Sequence, residues 1–112
     1  MATSLPDVIH NVERHQFELH TGDMLASLVY RCEADNVINL LHTEVPRPLE
    51  GRGYASALAS AAIDYAAAHD LTVRPTCPFV RAYLRRHPSA VRLTEPLRGR
   101  APRTSDSSAS PP

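Results

Sequence analysis

"HTEVPRPLEGRGYASALASAAIDYA", residues 42–66, joins a strand-like run to the most regular helical pattern of the chain through a Gly-x-Gly. Ala55, Leu58, Ala59, Ala62, Ile63 and Ala66 recur at i, i+3, i+4, i+7, i+8 and i+11, while Ser56, Ser60 and Asp64 fall elsewhere, which is the signature of an amphipathic helix. Eight alanines between Ala55 and Ala68 add helix propensity and let the helix sit close against a sheet; His69 and Asp70 end it. A glycine pair at such a junction leaves the backbone free to close on a ligand. The first N–H groups of the helix and its dipole favour an anion there. A tight turn that merely needs glycine is the plainer alternative.

Upstream of this stretch the chain reads as β structure. "DVIHNVE" (7–13), "QFELH" (16–20), "MLASLVYRCE" (24–33) and "VINLLHTEV" (37–45) are strand-length runs of β-branched and aliphatic residues. "HTGD" (20–23) and "ADN" (34–36) are turn compositions between them, so an antiparallel meander is the simplest topology. Downstream, "LTVRP" (71–75) is a short strand and "PFVRAYLRRH" (78–87) a second helix, started by Pro78 and stopped before Pro88. The result is an α+β domain with about five strands and two main helices. His10, His15 and His20 recur every five residues, but an odd spacing alternates faces along a strand, so they read as surface histidines.

Composition sets limits on function. The chain has 112 residues, room for one domain with one site. Twelve basic and twelve acidic residues cancel, and all twelve basic residues are arginine, which argues against a nucleic-acid surface held by bulk charge. Cys32 and Cys77 make no metal or redox spacing and read as free thiols of a reducing compartment. The first residues carry no signal-peptide pattern and no run approaches the length of a membrane span, so a cytoplasmic protein without nucleic-acid or membrane partners is expected.

The two common phosphate signatures fail. A P-loop requires a lysine, which the chain lacks, and a dinucleotide fingerprint requires glycine where Ser56 stands. What remains is Gly51, Arg52, Gly53, Tyr54 and Ala55 at a helix N-terminus, with one formal positive charge.

At this point "EVPRPLEGRGYASAL" resembles the acetyl-CoA loop of the GNAT superfamily of N-acetyltransferases, whose wider pattern is Q/R-x-x-G-x-G/A at the start of a long helix after the fourth strand. Residues 42–88 carry the match: "HTEVP", "GRG", the Ala-rich helix and "RPTCPFVRAYLRRHP" are similar to the short single-domain subgroup with a Cys in its second motif. The resemblance implies a mixed, mostly antiparallel sheet splayed beside its fourth strand. Acetyl-CoA would lie there with its pyrophosphate on the N–H groups from Gly51 to Ala55, and Val45 would offer backbone hydrogen bonds to the thioester arm. Pro48 departs from the pattern, standing in the Gln/Arg slot, so pyrophosphate binding must lean on the backbone and Arg52.

Acetyl transfer to an amine needs a base, a polarised carbonyl and an acid for the departing thiolate. His42 and Glu44, two apart on a strand, share a face and are candidate bases; a packed histidine and a solvated strand end are the bland alternative. Pro78 at the first helical position makes Cys77 the N-cap of the second helix, where the dipole favours a thiolate. Cys77 would accept an acetyl group, protonate the leaving thiolate, or only cap the helix; on this reading it is the more reactive cysteine and Cys32 is structural. Tyr83 lies near where larger GNAT enzymes place a tyrosine acid, or packs in the core. Arg81, Arg85 and Arg86 are given no role.

The expected activity is transfer of acetyl from acetyl-CoA to a primary amine of a small molecule, peptide or protein, by a monomer or weak dimer. A CoA or acyl-CoA binding module without turnover is the rival, and an adaptor using an arginine-bearing tail a third reading. Residues 1–96 form the domain in this reading. "LRGRAPRTSDSSASPP" (97–112) cannot bury enough apolar area to offset ordering entropy and reads as a disordered tail. Deleting residues 97–112 is therefore expected to leave the melting temperature and acetyl-CoA affinity nearly unchanged; a loss of several degrees would show that the tail docks.

Overall fold

The computed structural model describes residues 5–88, so the tail assigned to 97–112 lies outside the described residues. Five strands lie side by side in sequence order: β1 (Ile9–Asn11), β2 (Gln16–Thr21), β3 (Met24–Glu33), β4 (Val37–Glu44) and β5 (Thr72–Pro75). The first four form an antiparallel meander, and β5 joins β4 in parallel after the crossover helix α1 (Tyr54–Ala68). A second helix, α2 (Pro78–Arg86), follows β5. This is the α+β arrangement that the sequence implies. A 3-10 turn at Arg47–Leu49, between Pro46 and α1, has no counterpart in the hydrophobic pattern.

Both helices join one hydrophobic cluster on one face of the sheet. Phe17 and Leu19 of β2, Leu28 and Tyr30 of β3, Ile38 and Leu40 of β4 and Val73 of β5 meet Leu58, Ala62 and Ala66 of α1. Val80 and Leu84 of α2 complete it. Ala62 and Ala66 are fully buried, so the alanines let α1 approach the strands; a larger side chain at Ala62 would overpack at a cost of about 1–3 kcal/mol.

The opposite face is polar and stitched by side chains. Glu18 accepts from Asn11 at 3.0 Å and Gln16 at 2.6 Å, and pairs with His20 at 2.8 Å. These contacts, the His20 bond above all, hold its carboxyl below the usual range although burial opposes them. Glu33 is met by Arg31, Asn39 and Arg74, which binds the end of β5 across β4 to β3. Arg81, given no role from sequence, donates to the carbonyls of Pro75 at 3.0 Å and Thr76 at 2.8 Å and fixes the turn from β5 into α2.

Two irregularities in β4 position the site. Val29 pairs with His42 but Tyr30 with Leu40, so Leu41 is an extra residue, a β-bulge. The bulge reverses the alternation: Thr43, not His42, follows Leu40 on the helix-covered side. The second irregularity is where β5 stops. Its pairing runs from Val37↔Thr72 to Leu40↔Pro75, and Cys77 N–H adds a last bond to Leu40 C=O at 2.8 Å. Beyond that point the strands part, and among the described residues no strand pairs with Leu41–Glu44 on the β5 side.

The histidines are not all bland surface residues. His10 stacks on Phe17 with ring centroids 4.3 Å apart, lies edge-on to Tyr65 at 4.5 Å and shares a 2.7 Å hydrogen bond with the Tyr30 hydroxyl. His15, at the β1–β2 turn, meets the same Tyr30 ring at 5.7 Å. Register on one strand could not bring His10 and His15 together; the hairpin does. Burial, and to a lesser degree His69, push the His10 pKa below the ordinary 6.5. The unfolded chain therefore takes up a proton on this residue at higher pH than the folded chain does, so stability is full above 6.5 and falls as pH drops below it. Glu18 and Glu33, whose carboxyls are held low, lose their contribution only at more acidic pH. The melting temperature is expected to fall between pH 7 and 5.5, and His10→Phe to flatten that slope; an unchanged slope in the variant would assign the loss elsewhere.

Candidate functional site

The glycine loop has the backbone that glycine permits. Gly51 has φ +76° and Gly53 φ +87°, both in the left-handed region, and Gly53 is the N-cap of α1. No side chain caps this helix and its first turn holds no acidic residue. Its first internal bond runs from Ala57 N–H to Gly53 C=O at 3.0 Å, so the N–H groups before Ala57 project from the helix end toward the loop.

In front of them is a cavity of about 400 Å³. Of the six residues read as cofactor-binding, Val45, Gly51, Gly53, Tyr54 and Ala55 line it. Arg52 is exposed at the loop tip and is not part of the lining. The Tyr54 ring is buried in the core and its hydroxyl bonds to Thr21 at 2.8 Å, so the side chain anchors the helix start. Leu49, Ser56 and Phe79 also face the cavity and escaped the sequence reading, as did Glu50. Phe79 follows the Pro78 helix start, where its neighbour Cys77 drew the attention. Arg86 lies over the Phe79 ring at 5.9 Å.

Space around Gly53 is open on the protein side: an added Cβ would meet only Leu5, at 3.9 Å. The positive φ, not crowding, is the constraint. A β-branched residue at Gly53 is strained in that conformation and would destabilise the fold.

Cys77 is the N-cap residue of α2, with Pro78 following, as the sequence implies. Its thiol does not cap, however; Sγ lies 3.3 Å from Thr43 Oγ1. Cys77 is 3% exposed, whereas Cys32 is exposed. The expectation that Cys77 is the more reactive thiol thus loses the support of access, because the helix start is folded against β4. The contact sits where β4 and β5 part. Regular alternation from Leu40 would turn Thr43 outward, and only the bulge brings it to Cys77.

His42 and Glu44 do share a face. Their side chains are 60% and 72% exposed, with Nε2 and Oε2 3.5 Å apart, on the side of β4 away from Thr43 and Cys77. Glu44 and Val45, with Leu25 and Pro46, line a second, smaller cavity of about 220 Å³. Tyr83 is half-buried against the core, stacks on His87 at 4.1 Å and lines neither of these two cavities. Among the described residues no cluster of His, Cys, Asp and Glu is arranged to hold a metal ion, and no helix is long and apolar enough to cross a membrane.

This geometry has relatives. Residues 16–93 match the family described as GCN5-related N-acetyl-transferase. Protein NATD1 of Mus musculus is 35% identical over 83 residues, covering 72% of this chain and 76% of that protein. Protein NATD1 of Homo sapiens is 35% identical over 83 residues, 72% and 74% of the two chains. The solution structure of a GCN5-like protein from Staphylococcus aureus superposes with a TM-score of 0.67, covering 87% of this chain and 95% of that one; at 24% identity this likeness speaks for the fold. By the match over most of its described length and the identity to these relatives, the chain belongs to the GCN5-related N-acetyltransferase family.

Proposed function

We propose that this chain transfers an acetyl group from acetyl-CoA to a primary amine. The observation that carries the reading is the parting of β4 from β5 beside an uncapped helix N-terminus: free strand backbone at Leu41–Val45 opens next to the glycine-loop cavity. A CoA arm needs both features, backbone groups for its amides and oriented N–H groups for its pyrophosphate.

The residues present fit the group. Gly51 to Ala55 would hold the pyrophosphate through main-chain N–H groups, with Arg52 above them as a solvent-side counter-charge. Val45 would bond the thioester arm through its backbone, and Leu49 and Phe79 supply apolar wall. Bound there, acetyl-CoA supplies an acyl carbon activated as a thioester. His42 and Glu44 take the proton that the acceptor ammonium sheds before attack. Cys77, held by Thr43 at the point of divergence, would give a proton to the leaving thiolate as the C–N bond forms and the C–S bond breaks. Net, an ammonium and the thioester give an amide, a thiol and one released proton. Tyr83, turned to His87, is left to packing. A cytoplasmic setting suits both the free thiols and the CoA donor.

One observation favours a second reading, binding without turnover: His42 and Glu44 face away from Cys77 across β4. Transfer separates the two, since a binding module keeps the acetyl group intact.

Acetyl-CoA at 100 times its Kd is expected to stabilise the fold by about 2.7 kcal/mol, read as a rise in melting temperature. No shift at millimolar acetyl-CoA would remove the cofactor assignment. For Cys77, iodoacetamide should modify Cys32 first under native conditions, and acetyl-CoA should slow the later modification of Cys77. Cys77→Ala and Cys77→Ser should retain acetyl-CoA binding while losing transfer. Wild-type rates in Cys77→Ser would leave the thiol without a chemical role, and an acetyl mass on wild-type Cys77 would make it an acyl carrier instead of a proton donor.

A further inference from the structure

Val45 lines two cavities, the glycine-loop cavity and the smaller one formed with Leu25, Glu44 and Pro46. One residue thus divides the proposed donor space from a second space on the opposite, helix-free side of β4. From this juxtaposition we propose that the smaller cavity is the acceptor seat and that it selects compact alkylammonium compounds, with Glu44 holding the cationic head and Leu25 and Pro46 the carbon stem. The inference rests on the acetyl-transfer reading and specifies its substrate class.

The chemistry of the lining decides the class. Glu44 Oε2 has its nearest ionic partner, His42 Nε2, at 3.5 Å, beyond a good hydrogen bond, so the carboxylate retains acceptor capacity for an ammonium. The other carboxylate on this part of the face is already engaged. Glu18 lies across from Ser27, which in turn lies across from Glu44, and it is filled by Asn11, Gln16 and His20. Arg31 and Arg74 are at the far end of their strands, on Glu33. An anionic group brought to Ser27 and Glu44 therefore meets the Glu44 carboxylate beside the engaged Glu18, with His20 and His42 as the flanking imidazoles.

Leu25 is a large hydrophobic side chain 38% exposed on the same side of β3 as Ser27, and it lies directly in this lining. An apolar stem laid against it and Pro46 removes that surface from water. The volume of 220 Å³ equals about seven waters of liquid, enough for a short alkylamine. A proton shed from an ammonium on Glu44 also reaches the His42–Glu44 pair directly, so recognition and deprotonation share one group.

Propylamine and β-alanine test this, because they share the reacting amine and the two-carbon spacing and differ in a terminal methyl against a carboxylate. With acetyl-CoA saturating, kcat/KM for propylamine is expected to exceed that for β-alanine at least tenfold. Glu44→Gln should raise KM for both amines alike, because both bring an ammonium, whereas Leu25→Arg, which puts a cation against the far end of the stem, should lower the ratio to one or invert it. Glu44 is exposed, and unchanged melting temperatures would certify both folds. If Glu44→Gln leaves KM for propylamine unchanged, or Leu25→Arg leaves the ratio intact, the cavity does not seat the acceptor and the inference falls while acetyl transfer stands. A direct titration of the isotope-labelled, CoA-loaded chain with propylammonium tests the site without turnover. Saturable amide shifts at Leu25, Glu44 and Val45 that vanish in Glu44→Gln support the seat; their absence in wild type overturns it. Saturable shifts without transfer to any amine would retain the ammonium site and remove the transferase reading.

Discussion

A single backbone hydrogen bond, Cys77 N–H to Leu40 C=O, marks where the sheet stops being a sheet. Up to Leu40 the β4–β5 ladder is closed, and one residue later it opens. The N–H and C=O groups of an unpaired strand edge are taken up by a ligand or by water. The surroundings hold it open: Arg81 ties the carbonyls of Pro75 and Thr76 to α2, which turns the chain away from β4 at this point. Pro78 then commits the chain to a helix. The divergence is a consequence of where β5 ends.

The bulge at Leu41 works together with that break. It places Thr43 and Cys77 on the helix-covered side and His42 and Glu44 on the other, so a single strand segment presents different chemistry to its two faces. A regular strand would have put His42 and Glu44 under the helices, where two ionisable groups would need burial and partners. Val45 ends the segment and borders both cavities. In the proposed use, donor and acceptor spaces would meet at one backbone position and require no large pocket, which suits a domain of this size.

Most of the fold was legible because its signals are local. The change from period two to period 3.6 at Ala55, the turn compositions at 20–23 and 34–36 and the proline at 78 locate every strand and both helices. The glycine loop was legible too, since Gly51 and Gly53 take the left-handed conformation for which glycine is the default. What the sequence hid is what pairing decides. A bulge is a mismatch between two strands, so neither the outward turn of His42 and Glu44 relative to Cys77 nor the Thr43–Cys77 contact can be read from β4 alone. The burial of Cys77 is hidden for the same reason: an N-cap is exposed on an isolated helix and buried when that helix begins against a strand. The His10–Tyr30–Tyr65 cluster likewise needs three elements brought together.

Pro48 supplies main-chain stiffness where the wider pattern has a long side chain. Between β4 and α1 the chain carries Pro46 and Pro48, which fix φ and lower the entropy lost on ordering. The 3-10 turn at Arg47–Leu49 buries Leu49 to 2% exposure and so pins the loop from below, while the Tyr54 hydroxyl pins it from the helix side through Thr21. A long Gln or Arg at position 48 would add a contact but would have to be ordered on binding, at roughly 0.5–1.5 kcal/mol for a rotamer-rich side chain. A loop whose glycines already hold their left-handed conformations, between two anchored ends, presents its N–H groups without that cost. In the proposed use, rigidity of the main chain takes the place of the absent side chain, and Arg52 at the open tip contributes charge without needing a fixed position.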